Sequence, residues 1–378
     1  MLTKGAGYSE LSLGTVAAQG GRLSIMRHVD TIKLGQHSLG PTHPPFVVAE
    51  MSGNHNQDLG RALKIVEAAA ASGAHAIKLQ TYTADTMTLD ISRDEFVIDD
   101  PASLWRGRTL YDLYEEAHTP WEWHKAIFAR SRELGIECFS SPFDATAVDF
   151  LEALGAPAYK IASFENSDLP LIRKVAATGK PVIISTGMAT ISELGAAVEV
   201  ARDAGCADLI LLKCTSNYPA SPENTNLRTI LHLRDLFGVQ VGLSDHTLGI
   251  GVAVASVALG ATVIEKHFTL SRADGGVDSA FSLEPSEFNT LVEETQRAWQ
   301  ALGSILYGPT ASEKKSLWFR RSLYITEDLE PGTRLSTDNV RAIRPGLGLP
   351  PAELHKVLGL QVRRAAAKGT PLTWDLLK

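Results

Sequence analysis

Polar side chains recur at the ends of eight short apolar runs along this 378-residue chain. Glu50 closes the first run, Lys78 and Gln80 the second, and Ser140 and Ser141 the third. Lys160 and Ser163 stand at the fourth, Ser185 and Thr186 at the fifth, and Lys213, Thr215 and Ser216 at the sixth. The seventh runs into Ser244, Asp245 and His246, and the eighth carries Glu265, Lys266 and His267. Any one of these is readily a buried, hydrogen-bonded group. Eight such ends in register point instead to a shared polar site. Lys78 and Lys160, with Ser141, Ser163 and Ser185, offer point charges and many donors, as a phosphate with a carboxylate requires. A strand lysine can also reach past the rim to solvent, and Lys160 could instead form a Schiff base. His246 and His267, on adjacent runs, suit a divalent transition metal with open positions, with Glu265 or Asp245 orienting them from behind. A buried histidine is as readily structural. Asp274-Gly275-Gly276-Val277-Asp278 reads as a polyol-binding loop or as a turn.

These ends must be held by a scaffold. The β-rich runs fall at 46–50, 75–79, 136–141, 158–162, 181–186, 209–214, 239–244 and 262–267. A helical pattern follows each one; Leu59, Leu63, Val66 and Ala70 mark the first. Later helices are expected near 121–134, 145–154, 168–178, 190–204, 224–236, 249–259 and 285–302. Eight alternations of doubly buried strand and helix predict a closed (β/α)8 barrel over 32–303, with its chemistry at the C-terminal strand ends. An open doubly wound sheet needs a glycine-rich phosphate turn after its first strand, and Met51-Ser52-Gly53-Asn54-His55-Asn56 is not one. The long stretch between Gln80 and the third strand, containing Trp105, is expected to cover the mouth. Residues 304–322 read as a linker. Residues 323–378, short β-like runs between Gly/Pro turns, read as a small second domain. Residues 1–31 read as an N-terminal extension, within which Met26 is a possible alternative start.

Bulk properties exclude several classes. With 36 Lys and Arg against 43 Asp and Glu, the formal net charge is -7, and no basic run interleaves with aromatics, which argues against nucleic acid. No apolar run reaches the roughly 20 residues of a membrane helix, and no convincing signal peptide is present. Three widely spaced cysteines, Cys138, Cys206 and Cys214, form neither a zinc pattern nor a disulfide framework, so a reducing cytoplasm is expected.

Taken in order, Ala49-Glu50-Met51-Ser52-Gly53-Asn54-His55-Asn56, Ile77-Lys78-Leu79-Gln80-Thr81-Tyr82-Thr83, Ser140-Ser141-Pro142-Phe143-Asp144 and Ala158-Tyr159-Lys160-Ile161-Ala162-Ser163 resemble the sialic acid synthase family. So do Ser185-Thr186-Gly187-Met188, Gly242-Leu243-Ser244-Asp245-His246-Thr247 and Glu265-Lys266-His267-Phe268-Thr269. The tail with Arg344-Pro345-Gly346-Leu347-Gly348-Leu349-Pro350-Pro351 resembles that family's antifreeze-like (SAF) domain. Within the family, Leu79-Gln80-Thr81-Tyr82-Thr83-Ala84-Asp85-Thr86 and Thr119-Pro120-Trp121-Glu122-Trp123-His124 are most like the pseudaminic acid synthase branch. The resemblance implies a metal-dependent condensation of phosphoenolpyruvate with 2,4-diacetamido-2,4,6-trideoxy-altrose. An N-acetylneuraminate or legionaminic acid synthase is the alternative within the family. Carried over, His246 and His267 would hold Mn2+ or Mg2+, and Glu50 would position water or move protons. Lys78, Ser141, Lys160, Ser163, Ser185 and Ser216 would bind phosphoenolpyruvate. Gln80, Tyr218 and Asp278 would face the sugar, with Arg344 supplied by the other subunit of a domain-swapped homodimer. A silent carbohydrate-binding protein on the same scaffold would not need every polar strand end.

Overall fold

The computed structural model describes residues 31–101 and 103–378; the expected N-terminal extension lies, apart from residue 31, outside the described residues. The described residues divide into two compact units, one ending at Gly303 and the other running from Ser304 to Lys378.

The first unit opens with a hairpin, β1 (Ile32–Leu34) and β2 (His37–Leu39). The barrel strands follow: β3 (Phe46–Glu50), β4 (Ala76–Thr81), β5 (Glu137–Pro142), β6 (Tyr159–Ile161), β7 (Val182–Ser185), β8 (Leu209–Cys214), β9 (Gln240–Asp245) and β10 (Val263–His267). All pair in parallel in chain order, and β10 returns to β3 to close the barrel. Helix α1 (Leu59–Ala71) follows β3. Three helices follow β4: α2 (Ala84–Met87), α3 (Leu110–Ala117) and α4 (Trp121–Glu133). Helices α5 (Ala145–Leu154), α6 (Leu169–Ala176), α7 (Ile191–Asp203), α8 (Thr229–Phe237), α9 (Gly251–Ala258) and α10 (Pro285–Leu302) follow the remaining six strands. The expected strands and helices are all found, with ends shifted by at most a few residues; the largest shift is in α8, where Pro222–Asn224 forms a separate short turn of helix.

Local chemistry sets the helix starts. Asp58, Asp144 and Asp168 cap α1, α5 and α6 by accepting from a backbone N–H three residues on. Thr190 and Glu193 form a reciprocal capping box on α7. Each such cap contributes about 1 kcal/mol.

The period-2 alternation of the strands then sorts the side chains. One face packs on the helices, as Ile77, Leu79, Ile161, Ile184, Leu211, Leu243 and Ile264 do. The other fills the barrel. Its lower layers are apolar: Phe46, Val48, Ala76, Phe139, Ala158, Ile183, Ile210, Leu212 and Val263 form one cluster with Ile32, Leu34 and Leu39 of the hairpin. The hairpin thus plugs the N-terminal end of the barrel, a role its three-residue strands did not announce. Truncating a plug residue such as Ile32 to Ala would cost about 2–5 kcal/mol. Above this layer the same strands carry Glu50, Lys78, Ser141, Lys160, Ser185, Cys214 and Glu265, all buried apart from the solvent-facing rim. The lumen is apolar and packed below, polar above.

In the second unit β11 (Ser322–Ile325) pairs antiparallel with β12 (Val340–Ile343), and α11 (Leu354–Val357) follows. Leu323, Ile325, Leu329, Leu335, Val340, Val357, Val362, Leu372, Leu376 and Leu377 make its own core. Strand β11 begins at Ser322, the last residue of the stretch read as linker, and Glu313–Phe319 is 3-10 helix. No helix among the described residues is long and apolar enough to cross a membrane.

Candidate active site

The C-terminal end of the barrel holds a continuous chain of polar contacts. Gln80 Nε2 donates to Glu50 Oε1 at 2.9 Å, and Glu50 Oε2 lies 2.7 Å from Lys78 Nζ. Lys78 donates to Ser141 Oγ at 3.3 Å. Lys160 donates to Ser185 Oγ at 2.7 Å. Glu265 Oε1 stands 3.6 Å from both ammoniums and accepts from Ser244 Oγ at 3.2 Å.

Burial sets the protonation of this cluster, and neighbours adjust it. Glu50 is pushed up to about 7 by burial and by Glu265, against the pull of Lys78. Burial works to raise Glu265 as well, but Lys160, Lys78 and His246 hold it below the usual carboxylate range. For Lys78, burial is outweighed by Glu265 and Glu50, so its pKa is raised; for Lys160, burial wins and its pKa is lowered.

The two histidines converge beside this cluster, their ring centroids 5.4 Å apart. His246 Nδ1 donates to the Thr215 carbonyl at 2.9 Å and lies 4.0 Å from Cys214 Sγ. Cys214 is lowered to about 6: burial raises it, but the contact with His246 prevails. His267 is held well below its ordinary pKa by burial and by the nearby positive groups, and its Nδ1 has no hydrogen-bond partner. A neutral, unpartnered imidazole beside a second one whose Nδ1–H is anchored to a carbonyl is the donor chemistry a divalent metal takes, and negative charge behind His246 makes its Nε2 more basic. Among the described residues no third His, Cys, Asp or Glu completes a ligand cluster. The pair therefore fits a metal held by two protein ligands with its other positions open.

The rim is aromatic and polar. The Tyr218 ring lies 4.4 Å from His246, 6.3 Å from His267 and 5.3 Å from Phe281, centroid to centroid. Asp278 accepts a short hydrogen bond from the Ser52 hydroxyl and lies 3.9 Å from His267 Nδ1. Ser163 and Ser216 approach each other across Gly187, where a Cβ would come within 2.6 and 2.2 Å of their hydroxyl oxygens. Asn166, buried, donates to the carbonyls of Ser185 and Gly187 at 3.1 and 2.9 Å and so fixes the turn that presents both.

The structure thus brings together Glu50, Lys78, Gln80, Ser141, Lys160, Ser163, Ser185, Ser216, Tyr218, His246, His267 and Asp278. Arg344 is an exposed residue of the second unit. One expectation is corrected. Asp245 does not orient the histidines, because it sits on the outer face of its strand, 2.7 Å from Lys266 Nζ; Lys266 is likewise turned out of the lumen and donates to the Thr247 carbonyl. Glu265 does face inward, but as the hub between two lysines. Sequence reasoning missed Cys214, Ser52, Asn166, Gly187 and Glu165, whose buried Oε2 lacks a partner and whose pKa burial lifts to about 7. Their spacing carried no signal, although Ser52 and Gly187 stand within the quoted motifs and Cys214 at the end of the sixth run.

Comparison with known proteins fits this geometry. The profile described as the NeuB family matches residues 65–307, and that of the SAF domain matches residues 320–378. The chain belongs to the NeuB family. It is thereby a nonulosonic acid synthase, a phosphoenolpyruvate-dependent transferase. It is 43% identical to the pseudaminic acid synthase of Helicobacter pylori over 88% of this chain and 97% of that one. It is 36% identical to the N,N'-diacetyllegionaminic acid synthase of Legionella pneumophila over 87% of this chain and 94% of that one. Among solved structures, the N-acetylneuraminic acid synthetase of Leptospira borgpetersenii superposes with a TM-score of 0.68 at 32% identity, covering 76% of this chain and 95% of that one.

Proposed function

We propose that this chain condenses phosphoenolpyruvate with 2,4-diacetamido-2,4,6-trideoxy-altrose to give pseudaminic acid and phosphate. The observation that carries this reading is the pair of buried ammoniums, Lys78 and Lys160, in one lumen with a convergent histidine pair. The higher identity to a pseudaminic acid synthase than to a legionaminic acid synthase supports the choice of sugar.

Lys78 and Lys160 would neutralise the phosphate and carboxylate of the donor, and Ser141, Ser163, Ser185 and Ser216 would donate to their remaining oxygens. Held there, C3 of phosphoenolpyruvate would attack the aldehyde carbon of the open-chain sugar. Water would add to the oxocarbenium at C2, and collapse of the tetrahedral intermediate would expel phosphate by C–O cleavage. Glu50, raised to about 7 by burial, set beside Lys78 and steadied by Gln80, would orient that water and accept its proton. A divalent ion such as Mn2+ or Mg2+ on His246 and His267 would polarise the aldehyde as a Lewis acid. Asp278 and Tyr218 would face the sugar, with Arg344 supplied by a second copy of the chain in a homodimer; a guanidinium suits an N-acyl oxygen because its donors are fixed.

The test is phosphate release from phosphoenolpyruvate with three acceptors: the diacetamido-trideoxy sugars of the altrose and mannose series, and N-acetylmannosamine. Turnover with the altrose sugar, lost on chelation and restored by Mn2+, is expected. A higher kcat/KM for another acceptor overturns the sugar assignment, and full activity in excess chelator overturns the metal.

A further inference from the structure

The long excursion between β4 and α4 is held to the loop after β3 by Gln57, whose Nε2 donates to the Glu116 and His118 carbonyls, and to the loop after β10 by the indole of Trp105. Trp105 Nε1 donates to the Val277 carbonyl at 3.1 Å, next to Asp278 on the loop after β10. The Trp105 ring lies 6.1 Å, centroid to centroid, from that of Tyr218 on the loop after β8. Tyr218 packs in turn on Phe281, which lies 4.9 Å from His267. Trp105, Tyr218 and Phe281 therefore form one aromatic wall that starts at the histidine pair and ends at the rim. Phe281 is buried, while Tyr218 and Trp105 are half-buried. The proposed chemistry sets Tyr218 against the sugar and gives Trp105 and Phe281 no part.

Its position selects which part of a sugar it meets. Lys78, Lys160, Ser141 and Ser185 would take the three-carbon donor, and its C3 would meet the aldehyde carbon beside the histidine pair. The rest of an open-chain hexose then runs outward along the wall. Its far end, C4 to C6, would reach the indole. In a 2,4-diacetamido-2,4,6-trideoxy hexose that end carries an acetamido methyl and a C6 methyl. In N-acetylmannosamine it carries hydroxyls, which would lose water against the rings without gaining a partner. We propose that Trp105 is a specificity-determining residue that selects acceptors with an apolar, 6-deoxy far end. This rests on the reading of the chain as a synthase acting on a diacetamido-trideoxy sugar.

The indole has two parts to separate, the wall and the hydrogen bond to Val277. Trp105→Ala removes both, whereas Trp105→Phe keeps an aromatic face and loses only the donor. The readout is kcat/KM for the altrose-series trideoxy sugar and for N-acetylmannosamine, together with the KM for phosphoenolpyruvate. Trp105→Ala is expected to lower the ratio of the two sugars by roughly tenfold, in the range that apolar groups in a pocket discriminate. KM for phosphoenolpyruvate should stay within about twofold, and Trp105→Phe should keep most of the preference, since the flat apolar face is what selects. An unchanged sugar ratio in Trp105→Ala overturns the proposal. So does an equal loss for both sugars in both variants, with the KM for phosphoenolpyruvate raised as well, which is the signature of a mere anchor for the loop. A wild-type enzyme that favours the mannose-series trideoxy sugar refutes the altrose assignment alone, and the Trp105 test then runs with that sugar. One that favours N-acetylmannosamine refutes both readings.

Discussion

Lys78 and Lys160 share one carboxylate oxygen: Oε1 of Glu265 lies 3.6 Å from each ammonium. Two cations on one carboxylate oxygen, with only a few per cent of their surface exposed, repel strongly. Glu265 holds them apart and keeps Lys78 charged, while Lys160 remains the more readily deprotonated of the pair. In the proposed reaction a trianionic donor would take over from that single carboxylate as the main counter-charge.

It follows that Lys160→Met should act on the donor, not on the sugar. Losing one buried, hydrogen-bonded charge contact costs about 2–5 kcal/mol. KM for phosphoenolpyruvate is therefore expected to rise by roughly 30-fold or more, with the KM for the sugar little changed, as steady-state kinetics with each substrate varied in turn would show. The same site bears on the Schiff-base alternative. Borohydride with pyruvate should leave the mass of the protein unchanged, and a trapped adduct on Lys160 would overturn the role given to it here.

Gly187 supplies a second prediction. A methyl group at this position would collide with Ser216 Oγ at 2.2 Å and Ser163 Oγ at 2.6 Å. Gly187→Ala must push the two hydroxyls apart, and overpacking of this kind costs about 1–3 kcal/mol. KM for phosphoenolpyruvate should rise by roughly tenfold or more. Adding Ser216→Gly removes the worse of the two clashes, so the double variant should recover thermal stability relative to Gly187→Ala. If the double variant is no more stable than the single one, the collision is not what limits this site.

The barrel was legible because each strand advertised itself twice, by its apolar run and by the polar residue that ended it. Period-2 alternation even separates the faces: Glu265 and His267 enter the lumen while Lys266 between them leaves it, and Ser244 and His246 flank an outward Asp245. The assignment of Asp245 to the histidines failed because nearness in sequence was taken for nearness in space, against that alternation. The other omissions have a different cause. Ser52 meets Asp278 across 226 positions of chain, and Trp105 meets Val277 across 172. No local pattern encodes such a meeting; only closure of β10 onto β3 creates it. The hairpin plug escaped notice because three-residue strands are too short to show a period.

Acid should loosen the fold through two histidines remote from the proposed chemistry. His55 Nδ1 accepts from the Gln57 backbone N–H at 3.2 Å, and His75 Nδ1 accepts from the Val47 N–H at 3.0 Å. A second ring proton would face each of those donors head-on. Burial, with help from His118 and His37 respectively, lowers both pKa values from 6.5 to about 4. The sign follows. Below 6.5 the unfolded chain binds protons that the folded chain refuses, so stability falls as pH drops from 6.5 towards 4 and is complete above that window. At pH 5 the loss is about 2 kcal/mol per histidine. Thermal unfolding followed at pH 7 and pH 5 should therefore show a lower Tm at pH 5. His75→Asn, whose Oδ1 can still accept from Val47, should make that drop smaller whatever its own Tm at pH 7. A drop as large in His75→Asn as in the parent protein would remove His75 from the account.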